Sequence, residues 1–105
     1  MSTKRDRQSD SDVLVQKKSK TKKPKLYKVI FHNDDYTSME FVVFVLEHVF
    51  RKTIPEATQI MLRVHKQGSG VAGVYPFSIA ETKVAHTMEL AKQDNHPLLV
   101  TMEPE

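Results

Sequence analysis

The chain has 105 residues, no cysteine, 39% hydrophobic residues and a formal net charge of +3. That length supports one modest core, and the absence of cysteine excludes disulfides, thiol catalysis and cysteine-based zinc sites. The longest strongly apolar run, Phe41 to Leu46, is too short to cross a bilayer, and the N-terminus MSTKRDRQSD lacks the apolar stretch of a secretory signal, so the sequence reads as cytoplasmic with no membrane segment.

Residues 1–25 carry nine Lys or Arg against three Asp, a net +6, whereas the remainder carries seven basic against ten acidic residues, a net −3. The excess basicity therefore belongs to the N-terminal extension. A nucleic-acid-reading domain would need a basic face of its own, so no nucleic acid is expected as partner. Apart from the island Val13 to Val15, residues 1–25 are polar and rich in Lys, Ser and Thr. Such a segment buries too little apolar area to offset the entropy of ordering and reads as a flexible, disordered extension. The run KKSKTKKPK, Lys17 to Lys25, reads as a solvated spacer or as a contact for RNA or lipid.

The folded domain is expected over residues 26–105. Tyr27, Val29 and Phe31 alternate with Lys28, Ile30 and His32, the period of a half-buried strand. Asn33, Asp34 and Asp35 then break the pattern with turn-forming and capping residues. Three S/T-x-x-E signatures follow, at Thr37–Glu40, Thr53–Glu56 and Ser78–Glu81, each ahead of an amphipathic run, and each predicts a capped helix start. The first helix carries Met39, Val42, Leu46, Val49 and Phe50 on one face, widened by Phe41 and Val45. The second carries Ala57, Ile60, Met61 and Val64, with Gly68 as a left-handed stop. Gly70 to Phe77 reads as a strand with Pro76 near its end or on an edge. The third helix, Ile79 to Gln93, is expected to bury Val84, Met88 and Ala91, and Leu98 to Met102 forms the last strand.

The resulting order, β-α-α-β-α-β, predicts an α+β fold: a small three-stranded antiparallel sheet packed against three helices. Three strands are too few for a doubly wound sheet, and there is no dinucleotide glycine fingerprint. No motif calls for a cofactor.

The informative stretch is HNDDYTSMEFVV, His32 to Val43, a polar cluster between a strand end and a helix start. Asn33 and the two aspartates accept hydrogen bonds and bring no permanent positive charge, which suits a metal ion or a protonated amine. Met39 and Val42 stand just behind them, so an amine bearing an apolar group matches the pairing. The same three polar residues also suit a plain solvated turn that caps a helix. Three consecutive residues do not wrap an ion as spaced calcium ligands do, and the five histidines (His32, His48, His65, His86, His96) lack ligand spacing, so no metal is expected. Neither a nucleophile elbow nor a phosphate-cradling loop is present, which argues against an enzyme.

Four segments together, HNDDYTSMEFVV, ATQIMLRVHKQGSG (Ala57 to Gly70), AETKV (Ala80 to Val84) and HPLLVTME (His96 to Glu103), resemble the ClpS family of Clp protease adaptors in order and spacing. The resemblance runs from Tyr27 to Glu103 and omits the basic extension. It implies a non-catalytic adaptor that binds the first residue of N-degron proteins, namely Leu, Phe, Tyr or Trp, and delivers them to a ClpA-type AAA+ unfoldase of the ClpAP protease. On this resemblance Asn33, Asp34, Asp35 and His65 hold the substrate's α-ammonium, with Asn33, Asp35 and His65 as direct contacts. The side-chain pocket maps to Phe31, Thr37, Met39, Val42, Met61, Val64 and Leu98, with Met39 as a gatekeeper against β-branched side chains. The unfoldase-docking face maps to Ser78, Glu81, Thr82 and Lys83, and the N-terminal extension is engaged by the unfoldase. A monomer is expected. The alternative is a nucleic-acid or ribosome-associated module that uses the Lys-rich extension.

Overall fold

The computed structural model describes residues 23–105. The readings made on Met1 to Lys22, including the Val13 to Val15 island and most of the Lys-rich run, lie outside the described residues. The elements follow the expected order: β1 (Leu26–His32), α1 (Met39–His48), α2 (Ile54–Gln67), β2 (Ser69–Pro76), α3 (Phe77–Gln93) and β3 (Leu99–Pro104). β1 is central, in the order β2-β1-β3, and pairs antiparallel with both neighbours. The fold is the expected α+β arrangement.

Alternation along β1 sends Val29 and Phe31 to a fully buried face, because successive side chains of a strand point to opposite sides. Across the sheet Val29 faces Met102, and Phe31 faces Val100. The opposite face carries Lys28 and Glu103, 3.7 Å apart, and His32, whose Nε2 lies 2.8 Å from the Thr101 hydroxyl. The three helices supply the rest of the core through Phe41, Val42, Val45, Leu46, Ala57, Ile60, Val64, Ala80 and Ala91. Between Val29 and Ile30 the pairing register with β2 shifts, so Ala72 is the extra residue of a β-bulge. Pro76 ends β2 on the sheet edge and serves as the N-cap residue of α3, where its missing N–H costs no ladder bond.

The helix starts differ from one another. At Thr53 the capping box is present: Glu56 N–H donates to the Thr53 hydroxyl at 3.3 Å, and the Thr53 amide donates to Glu56 Oε1 at 2.9 Å. At α1 the expected cap on Thr37 is corrected. Ser38 is the N-cap and accepts from the Phe41 amide at 3.1 Å, because the Thr37 hydroxyl is already committed to Asp34. At α3 the expected box at Ser78 is also corrected. The helix begins earlier, at Phe77, with no side-chain cap, and Ser78 lies inside it, its carbonyl accepting from the Thr82 hydroxyl at 3.0 Å.

The buried stripe of α3 is Ala80, Thr87 and Ala91, with Val84 half-buried, while Met88 is exposed. Those positions repeat at four-three-four spacing, which leaves Met88 about 100° round the helix from Thr87. The expectation that Met88 is buried is thereby overturned.

Two glycines of the α2–β2 connection set the helix against the sheet. Gly68 has φ +93 and ends α2 in the left-handed conformation, its amide bonded to the Val64 carbonyl. A Cβ on Gly70 would stand 3.0 Å from Val64 Cγ2, so the absence of a side chain is what lets α2 approach β2 this closely.

Candidate functional site

β1 ends where the chain must turn toward α1, and the Asn33 amide is bonded to the Gly68 carbonyl at 2.9 Å. That bond joins the strand exit to the end of α2 and so carries Asn33 toward His65. Asp34 then organises the turn. Its Oδ1 accepts from the Tyr36 amide at 2.8 Å and the Thr37 amide at 2.7 Å, and its Oδ2 accepts from the Thr37 hydroxyl at 2.7 Å. Burial works to raise the Asp34 pKa, but these bonds, with the charge of nearby His96, outweigh it and hold the carboxyl below its ordinary 3.8. Asp34 is thus a charged turn-former whose two oxygens already have partners.

Asn33, Asp35 and His65 differ from it. All three are exposed, so their polar groups remain open to a ligand. Behind them, α1 presents Met39 and Val42, three residues apart, and α2 presents Met61, Val64 and His65, three and four apart. These spacings put each set on one helix face. Asn33, Asp34, Asp35, Thr37, Met39, Val42, Met61, Val64 and His65 together line one cleft of about 250 Å³. Its polar end is acceptor-rich and its walls are two methionines and two valines. Chemically it suits a small cationic group attached to an apolar side chain. Among the described residues no three His, Asp or Glu side chains converge as a metal site requires.

Phe31 and Leu98, expected in the side-chain pocket, do not line this cleft. Phe31 is fully buried, its ring edge-on to Phe50 with centroids 5.4 Å apart. Leu98 is buried beside the end of α3, where it borders a separate depression with Ala91 and His96. Of the residues expected at the docking face, Ser78, Glu81 and Thr82 lie exposed on the first turns of α3. Lys83 is turned inward: its Nζ donates to the Val49 carbonyl at 2.7 Å and stands over the rings of Phe50 and Tyr75 at 5.7 and 5.3 Å.

His96 lies outside the cleft but bears on its turn. Its ring stacks on Phe41 at 4.6 Å, and its charge favours ionised Asp34. No local signal marks it, since the partners are distant in sequence.

Residues 22–101 match the family described as ATP-dependent Clp protease adaptor protein ClpS. The chain belongs to the ClpS family. It is 55% identical over 94 residues to the ClpS adapter protein of Desulfatibacillum aliphaticivorans, covering 90% of each chain. To that of Rhodospirillum centenum it is 57% identical over 91 residues, covering 87% of this chain and 84% of the other. The fold is similar to that of Agrobacterium tumefaciens ClpS2 bound to L-phenylalaninamide, with a TM-score of 0.76 and 46% identity over 79% of this chain and all of that one. The protein is therefore a Clp protease adaptor of the ClpS family. No described helix is long and apolar enough to cross a membrane.

Proposed function

We propose that the cleft binds the first residue of N-degron proteins and that the chain, without a catalytic step of its own, delivers them to a ClpA-type unfoldase of the ClpAP protease. In this reading residues 26–105 are the degron-binding domain, and residues 1–25 are the part the unfoldase engages. Asn33, Asp35 and His65 receive the α-ammonium, and Asp34 holds the turn that aims them. The first side chain, that of Leu, Phe, Tyr or Trp, lies between Met39, Val42, Met61 and Val64, with Met39 at the entrance. Ser78, Glu81 and Thr82 face the unfoldase, and Lys83 supports that face from within.

The observation that carries the reading is the junction of an exposed acceptor cluster with an apolar cleft. A second support is that the Agrobacterium tumefaciens relative was solved with L-phenylalaninamide, itself an amine with an apolar group. Burying such a side chain contributes about 1.5–3 kcal/mol. Charge-assisted hydrogen bonds to the ammonium add roughly 1.5–3 kcal/mol each before the costs of association. Micromolar binding, about −8 kcal/mol, is a reasonable sum for one residue in one cleft.

Anisotropy of labelled peptides beginning with Leu, Phe, Trp, Met or acetyl-Leu tests the reading. Free Leu and Phe termini are expected to bind at micromolar levels or tighter. Acetylation, Asp35→Ala and His65→Ala are each expected to weaken binding by about tenfold or more, because groups that the bound residue covers lose their charge or hydrogen-bond complement. Equal binding of Leu and acetyl-Leu, or unchanged affinity in both variants, refutes the amine site.

A further inference from the structure

Sulfur in this chain is confined to five methionines, since there is no cysteine. Two of them, Met39 from α1 and Met61 from α2, stand in the wall of the cleft. Met39 is 42% accessible and Met61 is half-buried. Both also border a second open depression on the outer side of α1, so solvent reaches their side chains from two directions. We propose that Met39 and Met61 form a reversible oxidation site, at which a two-electron oxygen donor such as hydrogen peroxide converts thioether to sulfoxide and closes the cleft to apolar first residues. The inference rests on the reading of the cleft given above.

The step is an oxygen transfer. A sulfur lone pair attacks one peroxide oxygen, and the S–O bond forms as the O–O bond breaks. The proton on the transferred oxygen passes to the departing hydroxide, which leaves as water. Sulfur gives up two electrons and the peroxide takes them, and the product is a polar sulfoxide in place of an apolar side chain.

Three features make that change consequential at this place. The apolar wall of the cleft is two methionines and two valines, so half of it is thioether. A Leu or Phe side chain entering beside a sulfoxide strips water from its oxygen and offers no hydrogen bond in return, which opposes binding. Next, Asn33, Asp35 and His65 at the polar end carry no sulfur, so oxidation acts on the side-chain pocket and leaves the amine acceptors as they are. Finally, the chain holds its own comparison. Met88 is also 42% accessible, but it lines the separate depression beside the end of α3, and Met102 packs half-buried against the core. A peroxide that selects by accessibility attacks Met39 and Met88 alike, yet only the cleft pair touches the bound residue.

The test treats the full chain with hydrogen peroxide, locates sulfoxides by peptide mass spectrometry and measures phenylalaninamide by competition anisotropy before and after. Sulfoxide at Met39 and Met61 is expected to weaken binding by about tenfold or more, and methionine sulfoxide reductases with a thiol reductant are expected to restore it. Met88→Leu should lose as much affinity on oxidation as the wild type does. The double variant Met39→Leu, Met61→Leu keeps apolar volume in the wall, and its affinity is expected to change less than about twofold from its own untreated value. Unchanged affinity in wild type that carries sulfoxide at Met39 overturns the inference. So does oxidation that reaches Met88 and spares both cleft methionines, or an equal loss in the double variant. A loss that accompanies collapse of the circular dichroism signal assigns the effect to unfolding and also overturns it. These outcomes leave the cleft reading intact, whereas failure of the untreated wild type to bind phenylalaninamide overturns the cleft reading itself.

Discussion

Replacing Thr37 by valine removes one hydroxyl while keeping the branched side-chain shape, and it isolates the bond on which the Asp34 turn depends. The Thr37 hydroxyl donates to Asp34 Oδ2 at 2.7 Å, and two backbone amides occupy Oδ1. A hydrogen bond to a charged group contributes about 1.5–3 kcal/mol. Both residues are only half-buried, so solvent screening lowers the expected loss to about 1 kcal/mol. For a domain of this size that corresponds to a fall in Tm of about 4–8 °C.

The loss should depend on pH in a definite direction. The Asp34 pKa is lowered in the fold from 3.8, so its contribution is fully present above the unfolded value and disappears as pH falls through the folded one. The Thr37→Val penalty is therefore expected in full at about pH 7 and to shrink at a pH well below 3.8. Ser38→Ala provides the contrast, because Ser38 is the α1 cap. It should cost about 1 kcal/mol with little change over the same range, as a hydroxyl cap does not titrate. Thermal unfolding followed by circular dichroism at both pH values measures each variant. A Thr37→Val penalty that is absent at neutral pH, or equal at the two, refutes the argument that the bond to charged Asp34 holds the turn.

Lys83→Met keeps the aliphatic stem but loses the bond to the Val49 carbonyl and the ammonium over Phe50 and Tyr75. A loss of about 1–2 kcal/mol is expected in urea unfolding, and no measurable change would show that the contact is idle. Phe31→Leu leaves a void beside Phe50 and is expected to cost about 1–3 kcal/mol of stability without altering the relative affinity for Phe and Trp termini, since Phe31 does not line the cleft. A changed Phe-to-Trp ratio in anisotropy would return Phe31 to the pocket. Met39→Ala should widen the cleft entrance and raise affinity for peptides beginning with Ile or Val by about threefold or more relative to Leu. Discrimination identical to the wild type would remove Met39 as gatekeeper.

Much of this fold was legible along the chain because the relevant signals are local. The strand period of Tyr27, Val29 and Phe31, the Thr53–Glu56 box and the left-handed Gly68 each depend on residues within one turn or one strand, and each stands as read. The polar cluster His32 to Val43 could be singled out for the same reason: a strand end, three turn-forming residues and a helix start are contiguous. What the amino-acid order did not contain was which of two adjacent hydroxyls caps α1. Thr37 and Ser38 both have the chemistry, and the choice follows from Asp34 drawing Thr37 into the turn, leaving Ser38 extended at ψ 149. Periodicity likewise admits both Thr87 and Met88 on α3. The sheet that α3 packs against selected Thr87.

The cleft belongs to the same class of facts. Asn33 and His65 are far apart in sequence and line one cleft, where the Asn33 amide bonds to Gly68 at the end of α2. Phe31 and Leu98 share the apolar character of the cleft residues, yet tertiary packing turned one toward Phe50 and put the other beside α3. Lys83 was expected on the docking face with its neighbours, yet its Nζ lies 2.7 Å from the Val49 carbonyl. Residue type and spacing thus determined which chemistry the chain carries and in what order its elements form. Long-range contacts, which repay their chain-closure entropy only once the core is assembled, decided which of those residues face one another.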